Sequence, residues 1–326
     1  MSYNLICQCH LRYIYLFAII HMEAFMKLSY IVTNLKYENV KQVLKEEFGI
    51  SDRLLLKLKA NQKIYRNSQV VCVNEKVSLH DTIDIFLDME EDNSNIVPRK
   101  MELSILYEDD GLLILDKPPY LPIHPSIRHY EDSLSNGVRY YFDEIALKKK
   151  IRPINRLDRD TSGIVLFAKN EYVQECLVKQ MKHSCFKKEY IAVVEGMLEK
   201  KVGTIDLPIA RKLGSIIERE VCIDGCGENA ITHYEVIKEI CHSSVVKIHL
   251  ETGRTHQIRV HFSYIGHPIV GDTLYGIDTH TTPIIQRQAL HAYKVSFFHP
   301  ITKKQMDFCS PIPEDIKQLI SSLTKS

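Results

Sequence analysis

RPINRLDRDTSGIVLFAKN, residues 152–170, joins a cationic, carboxylate-bearing loop to an unbroken apolar run. IVLFA has the character of a strand buried on both faces, and NEYVQECLVKQM after it keeps helical spacing through Val173, Cys176, Leu177 and Gln180. KKEYIAVVEG then returns as a strand. Asp158 therefore lies on the loop entering a central strand, where a rigid scaffold can present a side chain to a cleft. Asp160, Thr161, Ser162 and Gly163 read as turn residues that bond their own backbone. Asp158 has two readings, a surface ion pair with Arg156 or Arg159 or a carboxylate held for chemistry, and this window alone leaves them level.

The chain has 326 residues, 45 % hydrophobic and 25 % charged, which suits an ordinary globular protein of more than one domain. A formal net charge of +1 argues against a basic tail, so any contact with nucleic acid must come from local clusters. The nine cysteines are scattered and no secretion signal precedes them, so reduced cytosolic thiols are expected. CQCH (7–10) and CIDGC (222–226) lack both the two-residue spacing and the second half of a zinc site, so no metal is expected. YIYLFAII (13–20) is too short for a membrane span and no small-residue cleavage site follows it. Residues 1–25 are expected to be a poorly packed extension, with the folded chain starting at Met26.

Beyond Met26, Val40, Val43, Leu44 and Phe48 mark one face of a helix that Asn39 can cap and Gly49 can stop. Ser51 can cap a second helix, DRLLLKLKA, burying Leu54, Leu55 and Leu58. QVVCVNEK and DTIDIFLD read as short strands, the latter alternating Ile83, Ile85 and Leu87 with polar Thr82 and Asp84. Arg53, Lys57, Lys59, Lys63 and Arg66 form a local cationic set: two short helices and a small strand unit with such a set resemble the alpha-L RNA-binding motif, against the solvated face of a small domain. MEEDNSNIVPRK (89–100) has no hydrophobic period and reads as a linker. From Met101, the apolar strands LSILY, LLILD, GIVLFA, YIAVV and VVKIHL alternate with helices, an α+β domain reaching residue 326.

A second polar concentration is LETGRTHQIRVHFSYIGHPIVGDTLYG, residues 250–276. Thr255 can cap a helix that Gly266 ends and Pro268 prevents from resuming, with Ile258, Phe262 and Ile265 facing the core. Arg254, His256, Gln257, Arg259 and His261 are then too dense a polar set for packing to explain. His256 and His261 are five apart, not the four of a metalloprotease pair.

RLDRDTSG, KKEYIAVVEG, LETGRTHQIRVHFSYIGHPIVGD and LHAYKVSFFHP, in that order, resemble the RluA-type RNA pseudouridine synthases. ILYEDDGLLILDKPPYLPIHPS (105–126) is similar to the start of their catalytic domain. The resemblance implies a catalytic domain over 101–326 with a central, mostly antiparallel sheet flanked by helices. A small α/β domain precedes it over 26–88 and resembles the alpha-L RNA-binding motif. By the same resemblance Asp158 is the catalytic aspartate, Tyr190 the base-stacking tyrosine and candidate proton acceptor at carbon 5, and Arg259 the arginine pairing with the aspartate. Leu290 is the aliphatic wall opposite Tyr190, and Arg156 enters the RNA where the base has left. Arg254, His256 and Gln257 fall in the substrate-binding segment. One departure is Asn155, where the family's motif begins with His; Asn keeps hydrogen bonding but not a positive charge.

Converting uridine to pseudouridine breaks the base-to-ribose bond at nitrogen and rejoins it at carbon 5. A carboxylate nucleophile suffices, so no cofactor is expected. A buried base must be flipped out, with stacking and Arg156 offsetting the cost. The KKKIRPINRLDR segment, with Lys187 and Lys188, is the expected phosphate-contacting cluster. The expected partner is structured RNA, ribosomal large-subunit rather than transfer RNA, and the protein is expected to be monomeric and cytoplasmic. Two other classes compete. A glycosidase would need a second acid better placed than Asp160, and a non-catalytic RNA-binding protein would show a decayed site, whereas Asp158, Tyr190 and Arg259 are all present.

Overall fold

The computed structural model describes residues 26–127, 129–276 and 285–325. CQCH and YIYLFAII lie outside them. The chain divides into two compact units, one through Glu90 and one from Glu91.

The first unit runs β1 (Lys27–Ile31), α1 (Val40–Glu46), α2 (Asp52–Ala60), β2 (Ile64–Arg66), β3 (Gln69–Val70) and β4 (Thr82–Phe86), its strands forming an antiparallel sheet ordered β1-β4-β2-β3. Both helices start where their caps predict: the Asn39 side chain accepts from the Gln42 N–H and that of Ser51 from the Leu54 N–H. Two expectations fail. QVVCVNEK yields only the two-residue β3, because Glu75 closes a turn on Cys72, its carboxylate accepting the Cys72 N–H at 3.0 Å. Asp84 does not face water: it is buried, accepts a hydrogen bond from Ser29 and pairs with Lys27 at 3.5 Å.

The second unit contains β5 (Ser104–Glu108), β6 (Leu112–Lys117), α3 (Leu134–Glu144), β7 (Ser162–Ala168), α4 (Glu171–Lys182) and β8 (Lys187–Glu195). It continues with β9 (Val202–Asp206), β10 (Ile209–Arg211), β11 (Arg219–Val221), β12 (Ile231–Ile240), β13 (Ser243–Leu250), α5 (Gln257–Tyr264), β14 (Leu290–Phe298), β15 (Gln305–Cys309) and α6 (Glu314–Lys325). Nine strands make one sheet, ordered β5-β6-β7-β14-β8-β13-β12-β9 with β15 beside β14. Only the β7–β14 pair is parallel, so the sheet is mostly antiparallel. The two larger hydrophobic cores draw on different elements: β6, β7 and α3 contribute Leu115, Phe167 and Phe142 to one, and β8, β13, α5 and α6 contribute Val193, Ile248, Phe262 and Leu319 to the other.

The sequence from Asp160 to Gly163 is not all turn. Ser162 and Gly163 open β7, and at Gly163 (φ 111°) a Cβ would stand 2.2 Å from the Ala292 carbonyl oxygen. Only glycine permits that approach of β7 to β14. Residues 91–100, read as linker, run along the second unit: Glu91 pairs with Arg152, Asn93 donates to the Lys149 carbonyl at 2.8 Å, and Asn136 donates to that of Val97 at 2.8 Å. The expectation of reduced thiols fails at Cys222 and Cys226, which form a disulfide. The chain reverses there through Gly225 (φ 80°), bringing the two Cα atoms to 6.3 Å, within bridging range.

Candidate active site

Asp158 is set by its backbone before its side chain does anything. Leu157 packs against both cores, and the Asp158 carbonyl accepts the Thr161 N–H at 3.1 Å to close a turn. Below the turn, fully buried Lys117 at the end of β6 donates to the carbonyls of Pro118, Leu121 and Arg159 at 2.8, 2.9 and 3.0 Å. Burial lowers its ammonium to about 7, yet three carbonyl acceptors match the three N–H bonds that only the charged form carries. Arg287, also buried, donates to the Asp160 carbonyl at 3.1 Å and is clamped by Asp315 at 2.6 and 2.9 Å. Asn155 ties the loop to β7: its amide donates to the Ile164 carbonyl and its carbonyl oxygen accepts the Leu166 N–H, both at 2.9 Å. The departure from the His-Arg-Leu-Asp pattern thus leaves loop order intact.

The two readings of Asp158 now separate. Arg159 pairs with Asp160, at 2.7 and 3.1 Å. Asp158 instead accepts a hydrogen bond from Arg259 Nη1 at 3.0 Å. Arg259 spends its other edge on Asp272, with Nε and Nη2 at 2.7 and 2.8 Å from the two carboxylate oxygens. Burial alone would lower the guanidinium, but hydrogen bonds and charge from Asp272 and Asp158 raise it, so it stays cationic. Burial would likewise raise Asp272, but Arg259 and the N–H groups of Leu274 and Tyr275 hold it below the usual carboxylate range. The result is a rigid fork with one prong left for Asp158.

His256, not Thr255, precedes the first turn of α5, in the left-handed region at φ 58°. Propensity does not foresee such a backbone at a histidine. Its Nδ1 lies 2.8 Å from the Tyr275 hydroxyl, which itself accepts the Arg219 N–H at 2.8 Å. The hydroxyl thus has its own proton to give Nδ1, the arrangement that leaves Nε2–H facing the Asp158 carboxylate, 3.9 Å away. Burial lowers the His256 imidazole and favours this neutral form.

Asp158, Arg259 and His256 border a cleft of about 710 Å³ that Tyr190 and Leu290 also line. Tyr190 stands on β8 and Leu290 opens the adjacent β14, whose Ala292 is the register partner of Tyr190. Burial, with the Asp158 charge, raises the Tyr190 phenol, so it rests as a neutral hydroxyl. Arg156 is exposed at the rim and makes no hydrogen bond or ion pair among the described residues. Arg254 is at the rim too, but pairs with Glu228 and donates to the Asn229 carbonyl at 3.0 Å.

Gln257 lines the cleft as well. It is buried with its amide consumed: its oxygen accepts from Thr252 Oγ1 and the Arg254 N–H, and its nitrogen donates to the Ile231 carbonyl and Thr232. His261 is similarly internal, bridging Thr232 and the Leu207 carbonyl. In the first unit Arg53 and Lys59 are exposed and Lys57 is half-buried, while Lys63 pairs with Asp88 at 3.0 Å and Arg66 with Glu75 at 3.2 Å. Lys117, Asp272 and Tyr275 went unnoticed in the sequence. A lysine between a buried strand and Pro-Pro was the one local signal for Lys117.

Among the described residues no group of three or more His, Cys, Asp or Glu is placed to hold a metal, and no helix is long and apolar enough to cross a membrane. A carboxylate held by a buried guanidinium in a cleft that an aromatic and an aliphatic side chain also line defines a class: an enzyme. Comparison with known proteins narrows it. A family profile described as RNA pseudouridylate synthase matches residues 111–264. The uncharacterized RNA pseudouridine synthase YjbO of Bacillus subtilis (strain 168) is 40 % identical over 275 residues, covering 84 % of this chain and 95 % of the relative. Ribosomal large subunit pseudouridine synthase D of Blochmanniella floridana is 35 % identical, covering 81 % and 88 %. In fold, human RNA pseudouridylate synthase domain containing 1 superposes with a TM-score of 0.54 at 24 % identity, over 73 % of this chain and 98 % of that one. The chain belongs to the RluA-type RNA pseudouridine synthases, isomerases that convert uridine in RNA to pseudouridine.

Proposed function

We propose that Asp158 is the nucleophile, acting on a uridine flipped out of large-subunit ribosomal RNA into the slot between Tyr190 and Leu290. The observation that carries this reading is the Asp158–Arg259–Asp272 chain, which fixes a carboxylate in the cleft that Tyr190 and Leu290 also line. Arg259 fixes the direction of the carboxylate. Attack by Asp158 splits the isomerisation into easier steps. The N1–C1′ bond breaks, the uracil turns within the slot, C5–C1′ forms, the C5 proton leaves and N1 gains one. The walls keep the detached base from escaping, the stack on the Tyr190 ring adding about 1–3 kcal/mol.

Tyr190 is the candidate acceptor of the C5 proton, but its raised phenol makes stacking its resting role. Arg156, unpaired at the rim, fills the gap left by the flipped base. Arg254 and His256 border the strand, and the amide of Gln257 shapes the loop that carries them. Arg53, Lys57 and Lys59 contact RNA from the first unit, an alpha-L-like domain over residues 26–88. Ribosomal RNA as target is supported by relatives named for the ribosomal large subunit, and a cytoplasmic protein goes with that target. Mapping pseudouridines across total RNA with and without the gene tests it: a ribosomal position losing its modification is expected, and loss confined to transfer RNA would overturn the target.

A further inference from the structure

Lys187 and Lys188 are adjacent in sequence but not equivalent in space. Side chains alternate along β8, so Lys188 shares the face of Tyr190, roughly 7 Å along the strand. Lys188 and Tyr190 both line the cleft, while Lys187 does not. The Lys188 ammonium lies 3.4 Å from where Gly253 would carry a Cβ. Gly253 is not among the positive-φ glycines, so its backbone does not require glycine there. What glycine leaves is open space between the ammonium and the loop that carries Arg254.

The carboxylates near that loop are taken: Asp158 by Arg259, Glu251 by His233 at 2.7 Å, Glu228 by Arg254. Lys188 has no hydrogen bond or ion pair among the described residues. Burial lowers its ammonium, and no neighbouring charge offsets that. A desolvated cation without an anion is costly in the free protein, and the cost is relieved when an anion binds.

We infer that Lys188 is the phosphate anchor of the active site, gripping the RNA backbone phosphate next to the uridine stacked on Tyr190. This rests on the reading of the slot as the base pocket. The ligand class is a phosphodiester, because the substrate strand supplies one within a nucleotide's reach of the base. Lysine meets it as a point charge and reads no sequence. Lys188 therefore sets how deeply the strand seats, and base identity is left to the slot.

The test uses the full chain and an RNA that the wild-type protein is measured to isomerise. Lys188→Gln is expected to raise KM about tenfold, to leave the single-turnover rate at saturating RNA within about twofold, and to flatten the salt dependence of RNA binding by about one phosphate contact. Lys188→Arg is expected to retain affinity and salt slope. An unchanged KM and slope in Lys188→Gln, or an equal loss of affinity in both variants, would overturn the anchor. So would a fall in the saturating rate with KM unchanged. The salt slope reads binding alone, so it answers even if Asp158→Asn proves active and the reading of the site fails.

Discussion

Asp272 touches no part of the cleft surface, yet it decides where Arg259 points. With both its oxygens on the guanidinium, it leaves a single N–H for Asp158. Asp272→Asn is therefore expected to lower the isomerisation rate by tenfold or more. It should also cost about 3–5 kcal/mol of stability, the range for breaking a buried ion pair, read by denaturant unfolding beside single-turnover assays. The same residue sets an acid limit. Its folded carboxyl lies below its unfolded value, so its contribution is complete above about pH 4 and is lost as pH falls through the folded value. Wild-type unfolding free energy should fall over that acid range, and the Asp272→Asn protein should show a shallower fall. Sequence pattern reached Asp158 and the Arg259 helix because carboxylates between arginines and dense polar helices are anomalies. Asp272, in VGDTLYG, looks like an ordinary turn, and no spacing rule joins it to an arginine thirteen positions earlier.

At the scale of elements, the catalytic loop is held from below and from the side. Lys117 fills three carbonyls beneath it, and Asn155 fastens it to the backbone of β7. Asn155→Ala removes a donor and an acceptor from buried backbone groups, an expected loss of about 2 kcal/mol. It should slow the reaction more than it weakens RNA binding, because the loop carries the carboxylate; comparison of kcat with RNA affinity checks this. Helices α1, α2, α4 and α5 were legible from hydrophobic spacing, and the caps of the first two from Asn39 and Ser51. The start of α5 was not, because it turns on a left-handed histidine held by Tyr275. The disulfide escaped as well, since a four-residue separation says nothing about the Gly225 reversal that closes it.

For the molecule as a whole, the site exists because of one long-range pairing. β7 meets β14 in parallel across more than a hundred residues, with Ser162 bonded to His291 at 3.0 Å and Gly163 against Ala292. That pairing sets Asp158, just before β7, beside Leu290 at the head of β14. No local pattern encodes it, and the family resemblance assigned Asp158 and Leu290 to one site without the strand pairing that joins them. Every residue lining the cleft belongs to the unit from Glu91 onward. Removal of residues 1–88 is thus expected to weaken RNA binding or blur site choice, measured by affinity and by the pseudouridine map, while isomerisation persists at high RNA concentration. The central claim is that the Asp158 carboxylate performs the bond exchange. Its most direct test is single-turnover pseudouridine formation by Asp158→Asn at saturating RNA. The account predicts no pseudouridine with RNA binding retained; formation at a rate near wild type would contradict it.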